Sequence, residues 1–306
     1  PCDSLHVIHS ATPPEHPVYH RSLHYRLSMS TRQTLPHIMI FCVTYKSYDY
    51  LRTFMTSVER AAAKAEGLCH VTLCVGDNTT DHWEDVPADL TPHCSLHAFP
   101  YHLNLGYLGC ALKMMSETGW NQVGDANYTI ISNVDLTLDE NFFSTLISTP
   151  WPTDAGWLAP DIFTPRLNHH DNPFQMRRPL PHDFLRWKIL YSHPLVYELM
   201  ERVYHLRNKR QIPHTQQEAI YAGHGSLMLF TSQFMKKHAD LRFPAFMYGE
   251  ELFLAELVRR DGLRTYYCPS LHVSNVGRVS TGNYNYAWLC RQNRQSLRTL
   301  RNLYFR

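Results

Sequence analysis

Apolar residues first fall into a sustained pattern at His37. The run HIMIFCVTY (37–45) is continuously apolar, as in a strand buried on both faces. It stops at KSYDY, and LRTFMTSVERAAAKA (51–65) then places apolar residues at helical spacing. HVTLCVGDN (70–78) reads as a second strand and Ser95–Phe99 as a shorter third. CALKMMSETG (110–119) reads as a helix, and YTIISNVDLTL (128–138) as a fourth strand. Such alternation predicts an α/β fold with a central, mostly parallel sheet flanked by helices. Right-handed crossovers place the carboxyl ends of parallel strands on one edge, where open α/β sheets bind ligands.

The second half is less regular. Residues 165–215 are rich in proline and basic residues around one helical stretch, PLVYELMERVYHLRN. GSLMLFTSQF (225–234) is strand-like, and FMYGEELFLAELVRRDG (246–262) predicts a helix with Glu251 near its first turn and Gly262 as its stop. No linker divides the chain. The expected organisation is a poorly ordered extension over 1–35 and one domain over 36–306, comprising a first half (36–150), a second half (151–290) and a basic helix (291–306). Met29 reads as a natural start, which sets residues 1–28 apart from the fold.

Composition narrows the class. The 306 residues are 44% hydrophobic and 18% charged with a net charge of +2, which suits a globular core and does not mark a nucleic-acid binder. The eight cysteines are scattered, without CxxC spacing, and read as reduced core residues in a cytoplasmic protein. No apolar stretch is long enough to span a bilayer.

The chemistry-bearing residues stand where apolar runs end. Thr44 and Tyr45 follow the first strand, Asp77 and Asn78 the second, and Asn133 and Asp135 the fourth. On a shared edge these can surround a nucleotide or a divalent cation; singly, each also suits a turn, a helix cap or a strand end. A dinucleotide-binding oxidoreductase is a poor reading, because VTYKSYDY contains no glycine.

In order along the chain, VTYKSYDYL, VGDNTTD, NLGYLGCAL, SNVDLTLDENFF, FMYGEEL and the stretch from Cys268 to Ser280 resemble the successive motifs of family 2 glycosyltransferases, of the bacterial polysaccharide, rhamnosyltransferase-like kind. That resemblance covers about Pro36 to the C-terminus. It implies the GT-A fold and inverting transfer of a sugar from a UDP- or dTDP-sugar to a glycan or lipid-linked acceptor, with Mg²⁺ or Mn²⁺ as cofactor and no nucleic-acid partner. Carried over by position, Thr44, Tyr45, Asp77, Asn104, Gly106 and Asn133 contact the nucleotide sugar, and Asp135 holds the metal. Asp77 takes the base N–H. Glu251 is the catalytic base, and Glu250, His224 and Gly225 meet the acceptor.

Some positions depart from the motifs. Asn133 stands where stricter members carry Asp, Ala111 replaces a second Asn, and the pair is Glu250–Glu251 rather than Glu-Asp. The metal- or phosphate-contacting His near the last strand falls by spacing on Asn275, with His272 three residues early. The acids at 250 and 251 also suit an ordinary helix first turn, and His224 a packed core position. Two readings therefore stand: an active transferase, or an inactive GT-A-fold binding subunit of a larger synthase. Arg291, Arg294, Arg298 and Arg301 fall at helical spacing, either for peripheral contact with the cytoplasmic membrane face or for packing on their own domain.

Overall fold

A computed structural model describes residues 34–207, 214–275 and 285–305. The extension expected over 1–35 lies, up to Gln33, outside the described residues, as does the part of the closing segment beyond Asn275. The elements run β1 (His37–Thr44), α1 (Tyr48–Lys64), β2 (His70–Asp77), β3 (Ser95–Pro100), α2 (Tyr107–Thr118), α3 (Trp120–Asp125), β4 (Tyr128–Asn133), β5 (Leu136–Leu138), α4 (Phe142–Ser148) and β6 (Ala155–Thr164). They continue through β7 (His169–His170), α5 (Pro181–Leu190), α6 (Pro194–Arg207), β8 (Glu218–Ile220), β9 (Leu227–Thr231), α7 (Ser232–Met235), α8 (Glu250–Arg260), β10 (Arg264–Asn275) and α9 (Tyr286–Tyr304).

The strands form one sheet in the order β3-β2-β1-β4-β9-β6-β10-β5, with β7 beside β6 and β8 beside β10. β3, β2, β1 and β4 are parallel, as the alternation predicts. β9 is antiparallel to both β4 and β6, and β6 is parallel to β10. The pleat sends alternate side chains of β1 to opposite faces. Ile38, Ile40 and Cys42 join a core with α1 and α4, whereas Met39, Phe41 and Val43 join one with α2, α8 and Leu300 of α9. β1 is thus buried on both sides, which its unbroken apolar run requires.

Two departures from the sequence expectation shape the site. The run 128–138 is not one strand: the chain bends at Val134–Asp135, and β5 crosses to pair antiparallel with β10. β6 was hidden by Pro160, a residue that central strands normally exclude. Here β10 accommodates it with an irregularity, the register stepping from Cys268↔Pro160 to His272↔Asp161.

α9 packs on its own domain. Cys290, Asn293, Ser296 and Leu300 are buried, and the Ser296 hydroxyl donates to the Met247 carbonyl at 2.7 Å. Its four arginines lie on the exposed side, where Arg294 donates to the carbonyls of Tyr191 and Ser192. No helix among the described residues is long and apolar enough to cross a membrane.

Candidate active site

Where β1, β2, β4 and β6 end, the sheet opens into a cleft of about 1010 Å³. Tyr45 and Ser47 enter it from the turn after β1, and Asn78 from the end of β2. Asn133, Val134 and Asp135 enter from the bend after β4. Glu250 and Glu251 enter from the N-terminus of α8, and His224, Gly225 and Ser226 from the approach to β9. Segments far apart in the chain therefore converge, as the strand-end argument requires.

The loop from Asn104 to Gly106 is built on Asn78. Its side-chain amide donates to the Gly106 carbonyl at 2.9 Å, and its oxygen accepts from the Leu105 amide at 3.4 Å. Asn104 accepts from the Gly106 amide at 3.0 Å. Gly106 has φ 74° and a backbone so close to Phe246 that a Cβ would overlap the Phe246 carbonyl oxygen. Only glycine fits both constraints. Asn104 and Gly106 line the cleft.

Asp77 and Thr44 sit behind this wall rather than on it. Asp77 is 2% exposed, accepts the Tyr48 hydroxyl at 2.7 Å on one oxygen and the Thr79 amide at 2.8 Å on the other, and is not among the lining residues. Thr44 is fully buried, and its hydroxyl has no hydrogen-bond partner among the described residues.

The acid pair opens α8. Glu250 is 6% exposed and accepts the Tyr248 amide at 3.0 Å. Burial, and then the charge of Glu251, push its carboxyl well above the ordinary glutamate range. Glu251 lies against Gly225, where a Cβ would meet its Oε1 and stand 3.0 Å from its Cδ. At Gly225 the backbone thus passes close to the acid. Tyr107 stands near these acids: burial first, then the charges of Glu250, Glu251 and Asp135, raise its phenol far above the ordinary value.

His224 accepts the Ser226 amide on Nδ1 at 3.3 Å and faces the Ser226 hydroxyl at 2.9 Å. An Nδ1 that accepts an N–H carries no hydrogen, so the neutral ring is protonated on Nε2, a donor for a ligand hydroxyl. Asp135 is 7% exposed. Asn275 is in the cleft and donates to Asp171 at 3.1 Å, whereas His272 lies outside it, in a separate hollow with Arg60, Asp139 and Glu140.

A hard divalent cation takes oxygen ligands, and Mg²⁺ commonly uses one or two carboxylates alongside phosphate and water. Asp135 with the amide oxygens of Asn133 and Asn275 suits that mode. Among the described residues no group of three or more His, Cys, Asp and Glu side chains is placed to hold a metal ion.

No protein-family description and no curated protein matches the chain. Among solved structures, the crystal structure of GalNAc-T7 with UDP, GalNAc and Mn²⁺ is similar over 82% of this chain at 12% identity, with a TM-score of 0.49. The match spans 45% of that protein's chain, so this chain covers under half its length.

Several cleft residues escape the sequence reading. Tyr191, Tyr197 and Tyr286 form an aromatic group, with ring centroids 5.7 and 5.6 Å apart in successive pairs. His169, His170 and Asp171 come from β7 and the residue after it. Both sets lie in or beside stretches whose prolines and mixed polarity erase a clear period. The one available signal was the polar cluster NHHDN itself, at 168–172.

Proposed function

We propose that this chain is a GT-A-fold glycosyltransferase that moves a sugar from a uridine or thymidine diphosphate donor to a hydroxyl of a glycan or lipid-linked acceptor. One observation carries the reading: Asp135, at the bend after β4, and the Glu250–Glu251 pair, at the start of α8, line one cleft with the nucleotide-end loop between Asn78 and Gly106. The nucleoside lies at the ends of β1 and β2, where Tyr45 and Ser47 flank it. Asp77 acts there through Tyr48 and Thr79, fixing the wall rather than the base.

The acceptor enters along Tyr191, Tyr197 and Tyr286, whose rings offer faces to a sugar, and His224 Nε2–H donates to a sugar oxygen. Glu251 takes the proton of the attacking hydroxyl, because an alcohol is a poor nucleophile at neutral pH. The acceptor oxygen bonds to the anomeric carbon as the bond to the diphosphate breaks on the opposite side, so configuration inverts. Glu250 keeps its proton and spares the pair a second charge. A divalent cation bound by Asp135 supplies Lewis-acid neutralisation of the leaving diphosphate. The exposed arginines of α9 and the exposed Leu185, Leu195 and Leu199 of α5 and α6 support an acceptor presented at an anionic membrane.

The test is release of nucleoside diphosphate from UDP- and dTDP-sugars, with and without Mn²⁺ and with candidate acceptors. Turnover that needs the acceptor and disappears in Glu251→Gln supports the transferase. Tight nucleotide binding without any release would identify an inactive binding subunit instead.

A further inference from the structure

The segment that carries His224 and Gly225 belongs to no strand. β8 ends at Ile220 and β9 begins at Leu227, so the backbone groups of residues 221–226 find partners outside a continuous ladder. Ala222 and Gln175 exchange two backbone hydrogen bonds, each of 3.1 Å. At the other end the Ser226 carbonyl accepts the Asn133 amide at 2.8 Å. Between these ties the His224 amide donates to Oδ1 of Asn172 at 2.8 Å.

Asn172 is 1% exposed and does not line the cleft, although its neighbours Asp171 and Pro173 do. Its Nδ2 donates to the Pro160 carbonyl at 2.8 Å, where β10 changes register beside β6. A backbone N–H only donates and a carbonyl only accepts, so these two partners fix which end of the side-chain amide faces which. Asn172 is thus a strut of set length between β6 and His224. Gly223 is pressed against the same strand, since a Cβ there would stand 2.7 Å from that of Ala159. One residue beyond the strut, Gly225 abuts Oε1 of Glu251.

We propose that Asn172 is a positioning residue for the transfer. By holding the His224 amide it sets the Gly225 backbone as the wall against which Glu251 rests, and it fixes where His224 enters the cleft. This rests on the reading of Glu251 as the base. Asn172 itself touches neither donor nor acceptor, so its loss misplaces the acid and slows the reaction without weakening the nucleotide site.

Steady-state release of UDP and dTDP from UDP-glucose, UDP-N-acetylglucosamine and dTDP-rhamnose, with Mn²⁺ and with free monosaccharides as acceptors, tests the assignment beside calorimetric titration of UDP and dTDP. Asn172→Ala should lower the turnover number about tenfold or more, while affinity for UDP and dTDP stays within about twofold of wild type. Asn172→Asp keeps an acceptor for the His224 amide and should retain most of the turnover, which carries the test if the Ala variant folds poorly. Gly225→Ala displaces the same acid, so Asn172→Ala combined with it should lose less than the product of the two single losses. Three results would each overturn the proposal while leaving the transferase intact: turnover of Asn172→Asp below about a tenth of wild type, losses that multiply in the double variant, or nucleotide affinity falling as far as turnover. A wild type that binds UDP or dTDP but releases neither from these donors would overturn the transferase reading and this proposal with it.

Discussion

Glu250 and Glu251 are chain neighbours with different environments, and that difference divides their roles. Glu251 lies against Gly225 and is the base of the proposed transfer, for which Glu251→Gln should lower the turnover number by about 100-fold or more, the usual scale of a lost general base. Donor affinity should stay the same, which binding titration beside steady-state kinetics would check. Glu250 makes a separate, pH-dependent prediction. Its folded carboxyl is raised above the ordinary value of 4.5 by burial and by Glu251. Between the two values the folded state binds more protons than the unfolded one, so stability is lost as pH rises from near 4.5. Glu250→Gln removes that loss and keeps an acceptor for the Tyr248 amide. Its melting temperature should exceed wild type at pH 8 by a few degrees, at about 2–4 °C for each kcal/mol, and the gap should close towards pH 5. A gap independent of pH would mean that titration of Glu250 is not its cause.

The elements present these residues through close backbone approaches, and two glycines separate their structural and chemical consequences. At Gly106 a side chain meets a left-handed φ and a carbonyl oxygen of Phe246 that cannot swing aside. Gly106→Ala should therefore destabilise the fold by about 2–4 kcal/mol, by strain and overlap together. Gly225 is not in the left-handed region, and what an added methyl meets there is the flexible end of Glu251. Gly225→Ala should leave stability within about 1 kcal/mol of wild type while reducing transfer, because the acid is pushed from its place. Chemical denaturation and turnover measured on both variants would show the contrast. Element by element, the apolar runs of β1, β2 and β4 were legible because burial on both faces leaves a run that only a strand explains. β6 was not, since Pro160 contradicts a central strand until the compensating irregularity in β10 is known. The break of 128–138 into β4 and β5 was equally hidden: both pieces are apolar, and the bend at Val134–Asp135 is set by pairing with the distant β10.

Across the whole molecule, the site was legible as far as strand ends reveal it. Polar residues closing apolar runs located Tyr45, Asn133 and Asp135, and an acidic start to a helix located Glu250 and Glu251. The same logic pointed to Asp77, whose side chain is turned into bonds with Tyr48 and Thr79, a choice that depends on α1 packing beside β2. His170 comes from a segment without a period, and Tyr191, Tyr197 and Tyr286 are brought together only by tertiary folding. The assembled cleft has a charge problem that single motifs do not reveal: the acids Asp135, Asp171 and Glu251 line it, while the donor of the proposed reaction is itself anionic. Nucleotide binding should accordingly depend on a divalent cation, and the dependence should pass through Asp135. A ligand that binds only the folded chain at 100 times its dissociation constant stabilises it by about 2.7 kcal/mol, which melting curves resolve easily. UDP or dTDP with Mn²⁺ should raise the melting temperature of the wild type by several degrees, and EDTA should remove most of that rise. Asp135→Ala should reduce the shift in Mn²⁺ to the level seen in EDTA, because the variant has lost the protein's anchor for the cation while keeping Asn78, Gly106 and Tyr45 at the nucleoside end. A full Mn²⁺-dependent shift in Asp135→Ala would place the cation elsewhere in the cleft, and Asp171, joined to the same region through Asn275, would be the next carboxylate to replace.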